Sequence, residues 1–403
     1  MTWSTNSNSR TDLADSVVQF ARGGLKVSPP LSLYIHLPWC VKKCPYCDFN
    51  SHAAQGIPEV AYIDALLLDL EQALPDIWGR KIHTIFFGGG TPSLFSAAGI
   101  DRILTGVRTL TPLAPNAEIT LEANPGTVEA AKFSGFREAG VTRVSLGIQS
   151  FNPQHLKALG RIHDDNEARR AAELAATHFD TFNLDLMFAL PGQTLEQALA
   201  DVDTALSFQP PHVSAYHLTL EPNTPFGHTA PLSLPDEDVA ADMHLAIEAR
   251  LIEAGMQHYE TSAYARPQHA SRHNLNYWQF GDYLGIGAGA HGKLSFHDRI
   301  IRQMRTKHPQ QYMAAVGQGT HIADTRTLTR NDLPFEFMMN ALRLNEGVPT
   351  ALFEERTGFP LHVCALALQQ ARAKGLLETD ATQLKPTLLG QRYLNDLLEL
   401  FLP

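Results

Sequence analysis

From residue 30 onward the chain alternates short apolar runs with amphipathic helical stretches, and this alternation limits the fold more than any other feature. The runs Ser32–Pro38, His83–Gly88, Glu118–Ala123, Arg143–Gln149, Asn183–Ala189 and His212–Leu220 read as strands. Helical patterns lie between them at Glu59–Leu74, Ala97–Leu110, Val128–Ala139, Asn166–His178 and Leu195–Ser207. Strands alternating with helices build βαβ units around a parallel sheet. Such crossovers are almost always right-handed, so six of them curl the sheet into most of a barrel. Periodicity alone leaves an open, doubly wound sheet as the alternative.

The polar residues favour the barrel, because chemistry in (β/α) barrels sits at the C-terminal ends of the strands. The loop Cys40-Val-Lys-Lys-Cys44-Pro-Tyr-Cys47 follows the first run, and Gly88-Gly-Gly-Thr-Pro92 follows the second. Glu122 ends the third run and Gln149 the fourth; Asp185 lies in the fifth, and Thr219 is near the end of the sixth. Each residue alone reads as a turn or cap. A ring of them around one mouth is harder to explain that way.

Three thiolates on one short loop can hold three irons of a cubane cluster and leave the fourth open. Clusters built for electron transfer usually have four Cys ligands. Two plainer readings compete. A disulfide framework fits poorly: the clustered cysteines are odd in number, and Cys364 stands far away in an apolar helical stretch, where a free Cys behaves as a small hydrophobe. A structural zinc site could be completed by His36 or His52, but such sites usually draw ligands from two separated pairs.

Together these motifs resemble the radical S-adenosylmethionine (SAM) superfamily, in its branch of oxygen-independent coproporphyrinogen III oxidase-like proteins, over roughly residues 31–403. The resemblance implies a partial (β/α)6 barrel with a small winged-helix-like α+β domain at its C-terminal end. It implies a [4Fe–4S] cluster on Cys40, Cys44 and Cys47, with SAM chelating the open iron and cleaved by an electron from the cluster. It carries SAM contacts onto Tyr34, Gly89, Gly90, Thr91, Glu122, Gln149, Arg161, Asp185, Thr219 and His291. The true oxidases have a further Cys two residues past the third; here that position is Phe49. The stretch Arg272-His-Asn-Leu-Asn-Tyr-Trp278 resembles the His-Asn-x-x-Tyr-Trp motif of HemW-type heme chaperones, which implies heme as cargo and His273 as its ligand. The plain alternative is a His273 held by hydrogen bonds while Tyr277 and Trp278 fill a domain junction. The expected function is heme delivery to an acceptor protein, with an electron donor for the cluster. The rival is oxidative decarboxylation of coproporphyrinogen III, against which Phe49 counts. Whether the chain turns over a substrate stays open.

The expected organisation is an arm at 1–30, the barrel at 31–225, an accessory region at 226–327 and a small module at 328–403. The arm is polar, lacks the apolar core of a signal peptide and carries one short helix near Asp12–Ala21. Asp236–Ala254 reads as a helix and Gln257–Tyr264 as a strand. In the module, helices at Asp332–Leu344, Thr350–Thr357 and Leu361–Lys374 precede two strand-like pieces, Leu376–Glu378 and Gln383–Pro386, and a last helix at Leu388–Leu400. Winged helices often bind DNA, but Asn331–Pro403 holds nine acidic and six basic residues, a net of −3. Phosphate contacts need Lys and Arg, and the whole chain is at −10, so nucleic acid is not an expected partner. No apolar run reaches membrane-spanning length; peripheral membrane contact and self-pairing stay open. Few cysteines and no export signal point to a reducing cytoplasm.

Overall fold

The computed structural model describes residues 24–53 and 56–402; the helix expected near Asp12–Ala21 lies outside them. Six parallel strands run in sequence order: β1 (Leu31–Leu37), β2 (Ile82–Gly89), β3 (Leu113–Ala123), β4 (Arg143–Gln149), β5 (Thr181–Phe188) and β6 (His212–His217). Their crossovers carry α1 (Glu59–Ile77), α2 (Ala97–Leu110), α3 (Ala130–Ala139), α4 (Asp165–His178) and α5 (Leu195–Ser207). Helix starts follow local chemistry. Asp164 and Glu167 form a capping box before α4, and Thr194 and Gln197 form one before α5, each satisfying backbone N–H groups that a helix start leaves unpaired. Strands β1, β2, β4 and β5 are buried over most of their length, as a sheet covered on both faces requires.

The sheet does not end with these six strands. Residues 226–327, read from sequence as an accessory region, supply six more: β7 (Gln257–Glu260), β8 (Ala263–Ala265), β9 (Asp282–Ile286), β10 (His291–Ser295), β11 (Ile300–Arg305) and β12 (Ile322–Thr327). The spatial order among the described residues is β12-β11-β10-β9-β1-β2-β3-β4-β5-β6-β8-β7. The strand expected over Gln257–Tyr264 is thus two, paired antiparallel, and β8 continues onto β6. On the other side β9 pairs parallel with β1. No ladder joins β6 to β1, so the barrel is partial.

Two buried carboxylates fasten the added strands. Asp69 on α1 accepts from Arg305 Nη2 at 3.1 Å, His321 Nε2 at 2.9 Å and Tyr312 Oη at 2.8 Å. Asp282, at the start of β9, accepts from Lys293 Nζ at 2.9 Å, Arg80 Nη1 at 2.8 Å and the Ser295 hydroxyl at 2.7 Å.

The C-terminal module has a separate apolar core around Phe337, Phe353, Leu368 and Leu397. Helices Asp332–Ala341, Ala351–Thr357 and Ala365–Ala373 surround it, and Val348–Pro349 pairs with Gln383–Leu384 in a two-stranded wing. The last expected helix is two short ones, Leu388–Arg392 and Leu394–Glu399. Phe280, Leu275 and Trp278 of the barrel side pack into this core, so the aromatic end of the His-Asn-x-x-Tyr-Trp stretch does fill the junction.

Candidate functional site

The C-terminal mouth of the barrel brings most of the expected residues together. The Cys loop leaves β1 and is fixed at its root by the glycine turn after β2: Gly90 N–H donates to Leu37 O at 2.8 Å, and Thr91 N–H to Trp39 O at 2.7 Å. The glycines are required by that approach. A Cβ on Gly89 (φ +116°) would lie 2.7 Å from the His36 ring, and one on Gly90 would lie 2.5 Å from the Trp39 carbonyl oxygen. The sequence reading took the run as a ligand cradle; its N–H groups at Gly90 and Thr91 are spent on positioning the Cys loop.

All three loop thiols are free and half-buried. Thr91 Oγ1 donates to Cys40 Sγ and Arg161 Nη1 to Cys44 Sγ, both at 3.5 Å. Burial pushes the thiols of Cys40 and Cys47 up, and each also feels the Cys44 charge. Three free thiols on one short loop, one for each of three irons, are the donor set that a cubane takes, so these residues fit a cluster. His36 cannot complete a zinc tetrahedron: its Nε2–H donates to Asn50 O at 2.8 Å, and its Nδ1 accepts from the Tyr34 hydroxyl at 3.0 Å. Burial lowers its pKa to about 4.

Inside the mouth, Glu122 and Asp185 face one another electrostatically. Burial, with Asp185 beside it, raises the Glu122 pKa to about 8. Burial also raises that of Asp185, against hydrogen bonds from Asn183 Nδ2 at 2.7 Å and Ser145 Oγ at 3.0 Å. Two acids desolvated together form a receptor for a cation, which relieves both. Gln149 ends β4 at φ +68°, a costly conformation for a non-glycine residue that tends to mark functional sites. Arg161 Nη2 donates to Gly147 O at 2.7 Å, and its buried Nε has no partner.

Two expected SAM contacts are exposed in this structure. Thr219 is exposed beyond β6 and donates to Glu221 at 3.1 Å. His291 is exposed at the start of β10. The glycines before it serve packing: a Cβ on Gly287 would lie 2.5 Å from His36 O, and one on Gly289 2.2 Å from Asn50 Nδ2. Sequence reasoning missed Asn50, whose amide donates to Ala288 O and Lys307 O, each at 2.9 Å, tying the Cys loop to the added strands. Its place three residues after Cys47 was the only local signal.

His273, the expected heme ligand, is held by hydrogen bonds in this structure. It lies on α6 (Arg272–Trp278), 1% exposed, among the first residues of β1 and β2, at the opposite mouth from the cysteines. Thr84 donates its one hydroxyl hydrogen to Ser32 at 2.7 Å, so it accepts from His273 Nδ1–H at 2.8 Å. Nε2 then accepts from the Tyr277 hydroxyl at 2.8 Å. Burial lowers its pKa to about 3.

A sequence model of the radical SAM superfamily matches residues 34–205, and one of the HemN C-terminal domain matches residues 328–393. The chain is 52% identical over 377 residues to a protein of Escherichia coli (strain K12) named heme chaperone HemW, covering 93% of this chain and 98% of that one. It is 33% identical over 380 residues to the Bacillus subtilis (strain 168) protein of the same name, covering 92% and 99%. Among solved structures, the coproporphyrinogen III oxidase HemN from Escherichia coli, described as a radical SAM enzyme, superposes with a TM-score of 0.79 at 22% identity, covering 96% of this chain and 97% of that one. That likeness speaks to the fold.

Proposed function

The chain belongs to the HemW heme chaperone family within the radical SAM superfamily, and from that premise we propose that it binds heme and delivers it to an acceptor protein in the cytoplasm. Cys40, Cys44 and Cys47 would hold a [4Fe–4S] cluster, reduced by an electron donor. When bound, the cluster and SAM supply one-electron chemistry at the barrel mouth. The chain's own part there is to orient and to bind. Arg161 and Thr91 place hydrogen-bond donors on two of the thiols. Glu122 and Asp185 offer carboxylates to the cationic amino-acid end of SAM, with Tyr34 and Gln149 beside them; Thr219 and His291 remain outer candidates.

The observation that carries this reading is the set of three free thiols on one loop at the mouth that also holds the half-buried acids Glu122 and Asp185, with Phe49, 59% exposed, where the oxidases place another Cys. Among the described residues no helix is long and apolar enough to cross a membrane. Anaerobic reconstitution, metal analysis and heme titration on one sample test it. Four irons and one heme per chain are expected, with transfer of that heme to an apo-hemoprotein. Clear conversion of coproporphyrinogen III on anaerobic incubation would overturn the choice in favour of the oxidase.

Glu122 adds a pH dependence. Its folded pKa of about 8 lies above the unfolded value of about 4.3. Its contribution to the stability of the SAM-free chain is therefore full below the unfolded value and falls as pH rises toward the folded one. A cation prefers the carboxylate, so SAM affinity should rise from pH 6 to pH 8. Glu122→Gln should flatten that rise and weaken binding about tenfold or more. Calorimetric titration of SAM at the two pH values checks it; an unchanged slope would remove Glu122 from the site.

A further inference from the structure

A cavity of about 900 Å3 lies at the barrel's other mouth, between the starts of β1 and β2 and the C-terminal helix α7 (Ala351–Thr357). Pockets that enclose a whole small ligand run to about 300–1,000 Å3. One wall is apolar, with Pro29, Pro30 and Val27, the last 71% exposed. Another carries His83. The ladder to β1 slips at this residue: Leu31 pairs with Ile82 and Ser32 with Thr84. His83 is the extra residue of a bulge, a device that re-aims a side chain. No hydrogen bond engages its ring among the described residues, whereas His36, His212 and His273 each have both nitrogens engaged. Burial, with Arg272 and Lys81 nearby, depresses its pKa and keeps the imidazole in the neutral form that binds metals.

The cavity is also cationic. Lys26, Arg80, Lys81 and Arg356 line it against Glu354 and Glu355. Arg80 is committed to Asp282. Arg356 is half-buried, and its buried Nε has no hydrogen-bond partner among the described residues.

We propose that this cavity is the heme site, with His83 as the axial ligand to iron and with Arg356 and Lys81 meeting the propionate carboxylates. The inference rests on the heme-delivery reading above. It gives the His-Asn-x-x-Tyr-Trp helix a positioning role. His273 holds Thr84, the residue after His83, and the Glu118 carboxylate anchors α6 by accepting from Arg272 N–H at 3.1 Å and His273 N–H at 3.0 Å. Cargo and cluster then occupy opposite mouths, separated by the seven residues of β1, about 20 Å at about 3.3 Å per residue.

The test is titration of ferric heme into reconstituted full-length wild type, His83→Ala and Arg356→Met, read by visible absorption and electron paramagnetic resonance, with iron–sulfur content as the check on folding. Wild type should show an imidazole-ligated heme. H83A should lose that signature and bind about tenfold or more weakly; R356M should keep the signature and also bind about tenfold more weakly. An H83A protein with the wild-type signature and affinity overturns the site while leaving heme delivery intact. Wild type that binds no heme overturns the delivery reading itself. Should H83A lose its cluster too, R356M decides, and an unchanged affinity there overturns the proposal.

Discussion

Replacing Cys47 with alanine is expected to remove the cluster almost entirely: iron and acid-labile sulfide should fall from about four each per chain to near zero. The loop offers three thiols, and of the two nearby histidines His36 is locked between Tyr34 and Asn50, which leaves His52 as the one substitute whose double variant with Cys47 separates the cases. Two thiolates leave two cubane corners without protein ligands. The fold should survive, because Cys47 is half-buried and takes no part in the apolar cores; a change of this kind usually stays within about 0.5 kcal/mol. Cys364→Ala is the control. Its thiol sits in the C-terminal core, 6% exposed, and donates to Leu361 O at 3.1 Å. That variant should keep its iron and lose about 1 kcal/mol. Paired iron assays and thermal melts on the two proteins check both halves. Retained iron in the Cys47 variant would show that the cluster has another ligand.

How much of this was legible in the sequence depended on how local the signal was. β1, β2, β4 and β5 are runs buried over most of their length, and α2 and α5 match their expected bounds because period and caps coincide. β9 and β12 escaped notice for a physical reason. β9 opens on a buried aspartate whose partners, Arg80 and Lys293, come from other elements. β12 is exposed along its whole length and shows no alternation. The Cys loop and the glycine run were readable as chemistry, but the run's packing duty against His36 and Trp39 requires knowing that β1 and β2 are neighbours. His273 was singled out by motif; that Thr84, 189 residues away, takes its Nδ1–H is visible only in three dimensions. His83 looked like the first residue of a strand, since its bulge appears only when the register against β1 is known.

The largest loss of stability is expected from Asp282→Ala. Asp282 and Lys293 are 0% and 1% exposed at their side chains, with the ammonium also 4.1 Å above the Phe280 ring. Truncating the carboxylate leaves a buried ammonium without a counter-charge, strips Arg80 of its partner and removes the acceptor for Ser295 N–H. Breaking a buried pair from one side costs about 3–5 kcal/mol, a large share of the roughly 5–15 kcal/mol that separates folded from unfolded chains. The loss falls where β9 joins β1, so β9 to β12 should loosen first. Asp282→Asn, which keeps a polar group at the position but no charge, should fall between. The sign with pH follows from the depressed pKa. Burial raises it, but Lys293 and Arg80 outweigh burial, so the carboxylate stabilises the fold above the unfolded value of about 3.9. That contribution fades as pH falls through the folded value. Denaturant unfolding at pH 7 and below pH 3 should therefore show a wide gap between wild type and D282A at the higher pH and a narrower one at the lower. Equal midpoints at pH 7 would mean that the Asp282–Lys293 pair does not hold the added strands to the barrel.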